Sequence, residues 1–546
     1  MVKKDNNFTL YLLKAMLLIL IITIIFIIPT KTISANPSIN IPLDSWIYSV
    51  ISRFETLQAF EGNSTVALNT KPLTRYEIAS LIDTALSNLQ KGKVELKQAD
   101  LLLMEKLAKE FHAELSTLNL DNLNPESTLK IEPYFTQRMN LFYPENINLE
   151  KLNLLSELGA KISSTTSENT ALYLNVLAHT EGETSFQAQI KQAYINLNLP
   201  SFKITISDGL SFLPDSMVIS NFSLLVGRDY MRWGPGYQGS LTLSDNSAAF
   251  YMFKYSGTID LNNSGESIAK ISFTKFFSLL DTLDEQNRYF SGQRLEYKLT
   301  PTLTLGLTET AIISQESSIL FLNPLPFIPP YYATWWIAGM FEPQEVNCNV
   351  ALDAEINITQ KSKLYGEWMA DDFIFHPDVN PYPNRTSFLA GAYLADPLGS
   401  GNTDFRIEYT HINNYVYFPR YSWQDYLYQG EYIGHSLGPD ADQLYLELTH
   451  NLSDRLNLSL SYNQERHGEG QTEIPLPSDP MIANENIFLS GIIEKQQAYQ
   501  AQLSYTISHQ WEFSVGAIWE NIKNKDNNIG VDEKNTYLQI ELNYQF

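Results

Sequence analysis

The chain has 546 residues, with 61 acidic against 37 basic side chains and a net charge of −24. That balance repels polyanions, and with no basic cluster interleaved with aromatics it excludes nucleic acid as a partner. Hydrophobic residues make up 44% of the chain and the mean hydropathy is −0.19, which excludes a polytopic helical membrane protein but not a barrel, whose strands are apolar on one face only.

The N-terminus is built for export. Lys3, Lys4 and Lys14 precede an apolar run from Ala15 to Ile28, Pro29 ends it, and Ser34–Ala35 supply small residues for cleavage. The run is short of the roughly 20 residues of a spanning helix. Residues 1–35 are therefore read as a signal peptide, with an uncleaved anchor as the alternative.

A helical domain is expected over residues 36–125. Trp46, Val50, Phe54 and Leu57 recur at spacings of three and four, with Asp44 as the candidate N-cap. Over Leu73–Leu86, Thr74 and Glu77 have capping-box spacing ahead of the stripe Ile78, Leu81, Ile82 and Leu86. A third helix is expected from about Leu96 to Leu118. The Trp-containing first helix followed by Thr74-Arg75-Tyr76-Glu77 resembles a surface-layer-homology-like module. That resemblance implies wall-polymer binding through Trp46, Arg75 and Glu77. A periplasmic plug or scaffold, with Arg75 and Glu77 in capping and surface roles, is the alternative.

From about residue 128 the period switches to two. Leu538, Ile540, Leu542, Tyr544 and Phe546 alternate with Gln539, Glu541, Asn543 and Gln545. Leu456, Leu458, Leu460 and Tyr462 alternate with Asn457, Ser459 and Ser461, and Phe405, Ile407 and Tyr409 with Arg406 and Glu408. This pattern, together with 31 Tyr and 28 Phe, predicts a mainly β fold. Residues 126–546 are read as a transmembrane antiparallel β-barrel of about 16–18 strands with aromatic belts at its rims. Polar and Pro/Gly-rich stretches such as 207–220, 321–334, 376–385, 421–438 and 468–484 are candidate outer loops, free to fold inward and close the lumen.

The densest motif is Val226-Gly-Arg-Asp-Tyr-Met-Arg-Trp-Gly-Pro-Gly236, followed by Ser240-Leu-Thr-Leu-Ser-Asp-Asn246. Downstream come Arg288, Arg294, Thr308-Glu309, Asn347 and Asp353, then Leu364-Tyr-Gly-Glu-Trp-Met-Ala-Asp-Asp-Phe373, Glu408-Tyr-Thr410 and Gly434-His-Ser-Leu-Gly-Pro-Asp-Ala-Asp442. In this order the segments resemble the capsule assembly Wzi family, over roughly residues 40–546. The resemblance implies an outer-membrane barrel that binds capsular polysaccharide and helps fix it at the cell surface.

Read from the residues alone, two uses of this motif stay open. Arg228 and Arg232, four apart, can meet Asp245, Glu309, Glu367, Asp371 and Asp372 in a mutually satisfied ladder that narrows the lumen. The same groups with Asn246 can instead bind sugar hydroxyls, while Trp233 or Trp368 stacks on a pyranose face. A glycosidase would need two carboxyl groups across a bond, and the adjacent Asp371 and Asp372 point to opposite faces of a strand. The expectation is a monomeric binding protein and not an enzyme, with no cofactor and no metal. Its expected partners are outer-membrane lipid, a capsular or other surface polysaccharide and, secondarily, peptidoglycan or another wall polymer. A wall-tethered porin and an envelope glycan hydrolase are the rival readings.

Overall fold

In the computed structural model a helical domain sits on one end of a closed β-barrel. The structure describes residues 38–545, apart from 64, 119–127, 145–150, 168, 182–184, 206–213, 264–265, 284, 315–345, 375–380, 420, 473–475 and 509. The expected export segment and the terminal Phe546 lie outside these residues.

Helices α1 (Ile47–Thr56), α2 (Arg75–Gln90), α3 (Gln98–Glu110) and α4 (His112–Leu118) form the domain. The capping box at α2 is present: the Glu77 amide donates to Thr74 Oγ1 at 3.2 Å, and the Thr74 amide donates to the Glu77 carboxylate at 2.7 Å. Asp44 does not cap α1, which begins after Trp46 without a side-chain cap. The single third helix expected from the pattern is two, because the backbone leaves helical geometry at Phe111. Phe111 is buried, and its ring lies beneath the Arg75 guanidinium, 4.4 Å away. The apolar stripes of α1 and α2 meet in one core containing Phe54, Phe60, Ile78, Ile82 and Leu107, which also takes in Tyr393 and Ala395 of the barrel.

The barrel opens with β2 (Thr128–Pro144), β3 (Lys151–Ser167), β4 (Thr170–Glu181) and β5 (Ser185–Leu199). Short β6 (Phe202–Thr205) continues β5 past Pro200, and both pair with β7 (Ser216–Asp229). Next come β9 (Phe250–Asn263), β10 (Glu266–Leu283), β11 (Gln286–Lys298), β12 (Leu303–Ser314), β13 (Val346–Thr359), β14 (Ser362–Asp372), β15 (Arg385–Ala395) and β16 (Thr403–Ile412). The circuit ends with β19 (Ala441–Ser453), β20 (Leu456–His467), β21 (Glu494–Thr506), β22 (Trp511–Lys523) and β23 (Glu533–Gln545). Pairing of β2 with β23 closes an antiparallel circuit of 18 strands once β5 and β6 are taken as one. An even number is the rule for single-chain outer-membrane barrels. Among the described residues, four two-residue strands lie outside the wall: β1 (Thr70–Lys71) pairs with β8 (Arg232–Trp233), and β17 (Leu427–Tyr428) with β18 (Glu431–Tyr432).

The two-residue period sorts the side chains. Leu158, Val226, Leu352, Leu503, Val515, Trp519 and Leu538 stand exposed on the outside of the wall, while polar partners alternate inward. Such an apolar outer surface is stable only against lipid. The turns joining β11 to β12, β13 to β14 and β15 to β16 lie on the helical-domain side. The described long connections 230–249, 413–440 and 468–493 leave from the opposite side. Arg53 of α1 donates to Gly401 O at 3.0 Å and bonds Asp404, while Lys97 and Lys361 both reach Asp396 at 2.8 Å. Burial alone would raise the Asp396 carboxyl, but these two ammonium groups and the Gly401 amide hold it down at about 2.

Candidate functional site: a loop-filled lumen

The lumen is filled by the chain itself along the arc from β7 to β16. The chain leaves β7 at Asp229 and dives inward, so that β8 meets β1 from the helical domain: Thr70 lies opposite Trp233 and Lys71 opposite Arg232. Gly234, at φ +125°, then turns the chain and donates its amide to Asn69 O at 2.9 Å. A Cβ at Gly234 would meet Glu367 Oε2 at 2.8 Å, so both dihedral and space require glycine. Two wall carboxylates hold the rest of the turn. Glu408 accepts from the amides of Tyr237 and Gln238 at 2.6 and 2.8 Å, and Glu367 accepts from the Leu241 amide at 3.1 Å.

A second inward segment, 413–440, packs on the first. Tyr417 and Tyr426 stack with their rings 5.3 Å apart, and their hydroxyls donate to Leu241 O and Thr242 O. Arg288 donates to Leu427 O at 2.9 Å and bonds Asp425 O, and Asn347 donates to Gln424 O at 3.0 Å. His435 is 1% exposed; burial, then the nearby Arg232 charge, lower its ring to about 4. The neutral ring accepts the Leu437 amide at Nδ1, 3.2 Å away.

Below these loops lies the ion-pair centre of the lumen. Arg294, 1% exposed, donates to both Asp353 oxygens at 2.6 and 3.0 Å, to Thr308 Oγ1 at 2.7 Å and to Thr70 Oγ1 at 2.9 Å. Glu296 accepts from Thr70 Oγ1 at 2.9 Å, tying β1 to the wall. Gly306 stands opposite Asp353 in register, and any side chain there would occupy the space of the carboxylate and guanidinium.

The structure brings together only part of the set read from the sequence. Arg232, Trp233, Asp245, Asn246, Glu367 and Asp371 lie inside the barrel. Arg232 donates to Tyr237 O at 2.7 Å and stands 3.5 Å from Asp245, and Asn246 donates to Tyr432 O. Trp233 is 1% exposed and packs edge-on against Phe276, which leaves no ring face for a sugar. Four residues fall elsewhere. Arg228 points outward over the Tyr251 ring, because the chain leaves the strand after Asp229 and breaks the expected i, i+4 alignment with Arg232. Glu309 faces away from Thr308 and Thr310 and accepts from Gln293 at 2.6 Å. Trp368 is 39% exposed on the outer wall beside Phe373, and Asp372 pairs with Arg385 at 2.5 Å.

Residues 215–315 and 347–537, just over half the chain, match the family described as capsule assembly protein Wzi. The chain belongs to the Wzi family. Among solved structures it is similar to Wzi of Escherichia coli, an outer membrane protein involved in group 1 capsule assembly and described as a carbohydrate-binding β-barrel. Identity is 14%, the TM-score is 0.56, and 93% of this chain and 99% of that one are covered. Pseudomonas aeruginosa OccD3 aligns over 76% of this chain and 91% of its own at 11% identity, with a TM-score of 0.41. An uncharacterized protein of Synechocystis sp. is 28% identical over 116 residues, and the chain spans about one fifth (21%) of that relative. The protein is thus an outer-membrane β-barrel of a capsule assembly family. The Wzi-like motifs read in the sequence map onto the luminal turn (226–246), its two carboxylate clamps (Glu367, Glu408) and the second inward segment (434–442).

Two features were not singled out from the sequence. The loop tip carries Tyr421 and Trp423, whose rings lie 6.1 Å apart and 4° from parallel, with Tyr421 41% exposed. The expected aromatic contact positions, Trp233 and Trp368, are instead core and outer wall. Asp229 is the second. It is fully buried and accepts from Asn40 at 2.7 Å and Gln192 at 2.7 Å, anchoring the entry of the helical domain to the wall. Its position next to Arg228 in an alternating strand was the available signal.

The wall-binding triad is committed within the domain. Trp46 lies under Lys106 at 4.0 Å, Arg75 bonds Glu110 and Glu114 at 2.7 and 2.5 Å, and Glu77 completes the capping box.

Proposed function

We propose that this barrel binds capsular polysaccharide at the cell surface through its long-loop face, with the helical domain on the periplasmic side. The observation that carries the reading is the paired, parallel Tyr421 and Trp423 at the tip of a loop whose base is locked into the lumen by Arg288, Asn347 and Tyr426. Aromatic rings held parallel on a loop with a fastened base offer a ring face to the apolar face of a pyranose with little ordering cost at binding. Membership of a capsule assembly family supports the same ligand class. A repeating polymer multiplies a weak single-site contact through effective concentration.

The role is binding and not hydrolysis. Glu367 and Asp371 are buried at 4% and 5% exposure beneath the inward loops, so neither is placed to reach a glycosidic bond. The family resemblance favours capsule over wall polymer, and the internal partners of Trp46, Arg75 and Glu77 weigh against the wall-binding alternative.

The test is binding of the detergent-solubilised protein to purified capsular polysaccharide of its host, with peptidoglycan as a parallel ligand. Replacing both Tyr421→Ala and Trp423→Ala is expected to weaken capsule binding about tenfold, or ~1.4 kcal/mol. Unchanged affinity in the double variant, or binding of peptidoglycan alone, would sink the proposal.

A further inference from the structure

The filling of the lumen is one-sided. Along the arc just described, the inward residues Arg294, Thr308, Thr310, Asp353, Glu367 and Glu408 are buried by the loops and the helical domain. Across the barrel, on β19–β23, β2 and β3, most inward positions are polar, among them amides and hydroxyls that remain partly exposed to solvent, with Leu155 and Ile518 as apolar exceptions. The amides and hydroxyls include Ser461, Asn463, Gln500, Gln502, Ser514, Gln539, Thr136 and Asn140. Register places them on one face: Ser461 opposite Gln500, Gln502 opposite Gly516, Gly516 opposite Gln539, and Gln539 opposite Asn140.

This crescent opens on the helical-domain side into a cavity of ≈ 500 Å³ between α1 and α3 and the wall, lined in part by Lys106, Tyr237, Glu447, Asn457 and Ser504. On the other side the described long loops lean away from it. Helix α5 (Pro480–Glu485) lies in the 468–493 loop, which reaches Pro381 and Tyr382 over β14 and β15. The turn joining β22 to β23 stays at the rim, with Asn527 bonded to Ile492 O and His467 O.

The charged groups of the crescent are held by its own wall. Glu520 accepts from Gln496, Asn535 and Tyr537 at 2.6, 2.9 and 3.2 Å. Glu465 accepts from Gln443 and Asn463 at 2.9 and 2.8 Å, and Glu541 pairs with Arg138 at 2.5 Å. A wall whose charged groups are already paired can exchange water for solute hydroxyls without binding them tightly, which conduction requires.

We infer that the unfilled half of the lumen conducts small uncharged hydrophilic solutes of sugar size between the two sides of the barrel. Carboxylates outnumber bases along it, with Glu132, Glu157, Glu447, Glu465, Glu512, Glu520 and Glu541 against Lys130, Arg138 and Lys161, so among ions it passes cations in preference to anions. This activity is separate from polysaccharide binding at the loop tip, which uses the opposite arc.

The experiment is swelling of proteoliposomes carrying the full chain in arabinose, lactose and stachyose, with the reversal potential in a KCl gradient read from planar bilayers. Swelling in arabinose that declines with sugar size, and a cation-selective potential, are expected. A Cβ at Gly516 meets nothing nearer than Ala501 O at 3.5 Å, so Gly516→Trp can project into the crescent with little disturbance of the wall. It and Gln500→Trp are expected to cut swelling by roughly an order of magnitude while leaving polysaccharide binding intact. Swelling no greater than in protein-free liposomes overturns the inference. So does swelling undiminished in both Trp variants, which would place the route elsewhere. Retained polysaccharide binding in a blocked variant separates loss of the route from loss of the fold.

Discussion

At the scale of single residues, the lumen turns on a few buried charges whose partners come from distant parts of the chain. Arg294 is satisfied by Asp353, Thr308 and Thr70, which lie on β13, β12 and the helical domain. Removing one member of such a group leaves the others charged and unpaired in a poorly solvated place. Arg294→Met is expected to destabilise the detergent-folded barrel by roughly 3–5 kcal/mol, and Arg294→Met with Asp353→Leu to recover most of that loss. Urea unfolding followed by tryptophan fluorescence measures both, and a neutral single variant would show that the pair carries no stability. The sequence displayed Arg294 and Asp353 among the motif residues but could not pair them. Alternation says only that each faces inward; which inward groups meet depends on register and on what fills the barrel.

Among the elements, the inward loops behave as structured inserts and not as slack connections. Segment 413–440 is fastened at Arg288, Asn347 and Tyr426 and closes over His435. That ring is held near 4, below the ordinary imidazole value of 6.5, first by burial and then by Arg232. A base with a lowered folded pKa is charged more readily in the released loop. The loop's contribution to stability is therefore complete above about 6.5, is lost as pH falls from there toward 4, and changes no further below that. Limited proteolysis of the loop between pH 7.5 and 4 is expected to show cleavage rising across that window, and His435→Gln is expected to flatten the dependence. A wild-type loop equally resistant at both ends would refute it. The helical elements were legible because their signals are local: the Thr74–Glu77 capping box forms as read. The break at Phe111 was not, since it is set by the packing of Phe111 under Arg75, 36 positions before it in the chain.

Seen as a whole, the molecule is a lipid-facing cylinder with an asymmetric filling. Trp519 stands 49% exposed on the outer wall, whereas Trp233 is 1% exposed inside it. In variants retaining one tryptophan each, reconstituted into bilayers with brominated acyl chains, Trp519 is expected to be quenched strongly and Trp233 hardly at all. Equal quenching would contradict the inside–outside assignment of the strands. The same cylinder keeps its two proposed activities apart: a fastened loop tip on the filled arc for polymer, and a polar crescent with paired charges on the other for small solutes.

The sequence by itself determined the two-residue period of strands such as those at 405–409, 456–462 and 538–545, and hence their apolar outer face. It also determined the capped helices of the N-terminal domain and the order of motifs that marks the family. These are readable because they rest on neighbours within a few positions, where covalent geometry fixes which side chains share a face. Only the tertiary structure decided that Arg228, Glu309, Trp368 and Asp372 face away from the lumen network. It alone decided that Trp233 is core, that the Gly234 turn meets Asn69 of the helical domain, and that one arc is filled while the other stays wet. Those outcomes depend on where the chain leaves β7 and on contacts across more than a hundred residues, which no local period encodes.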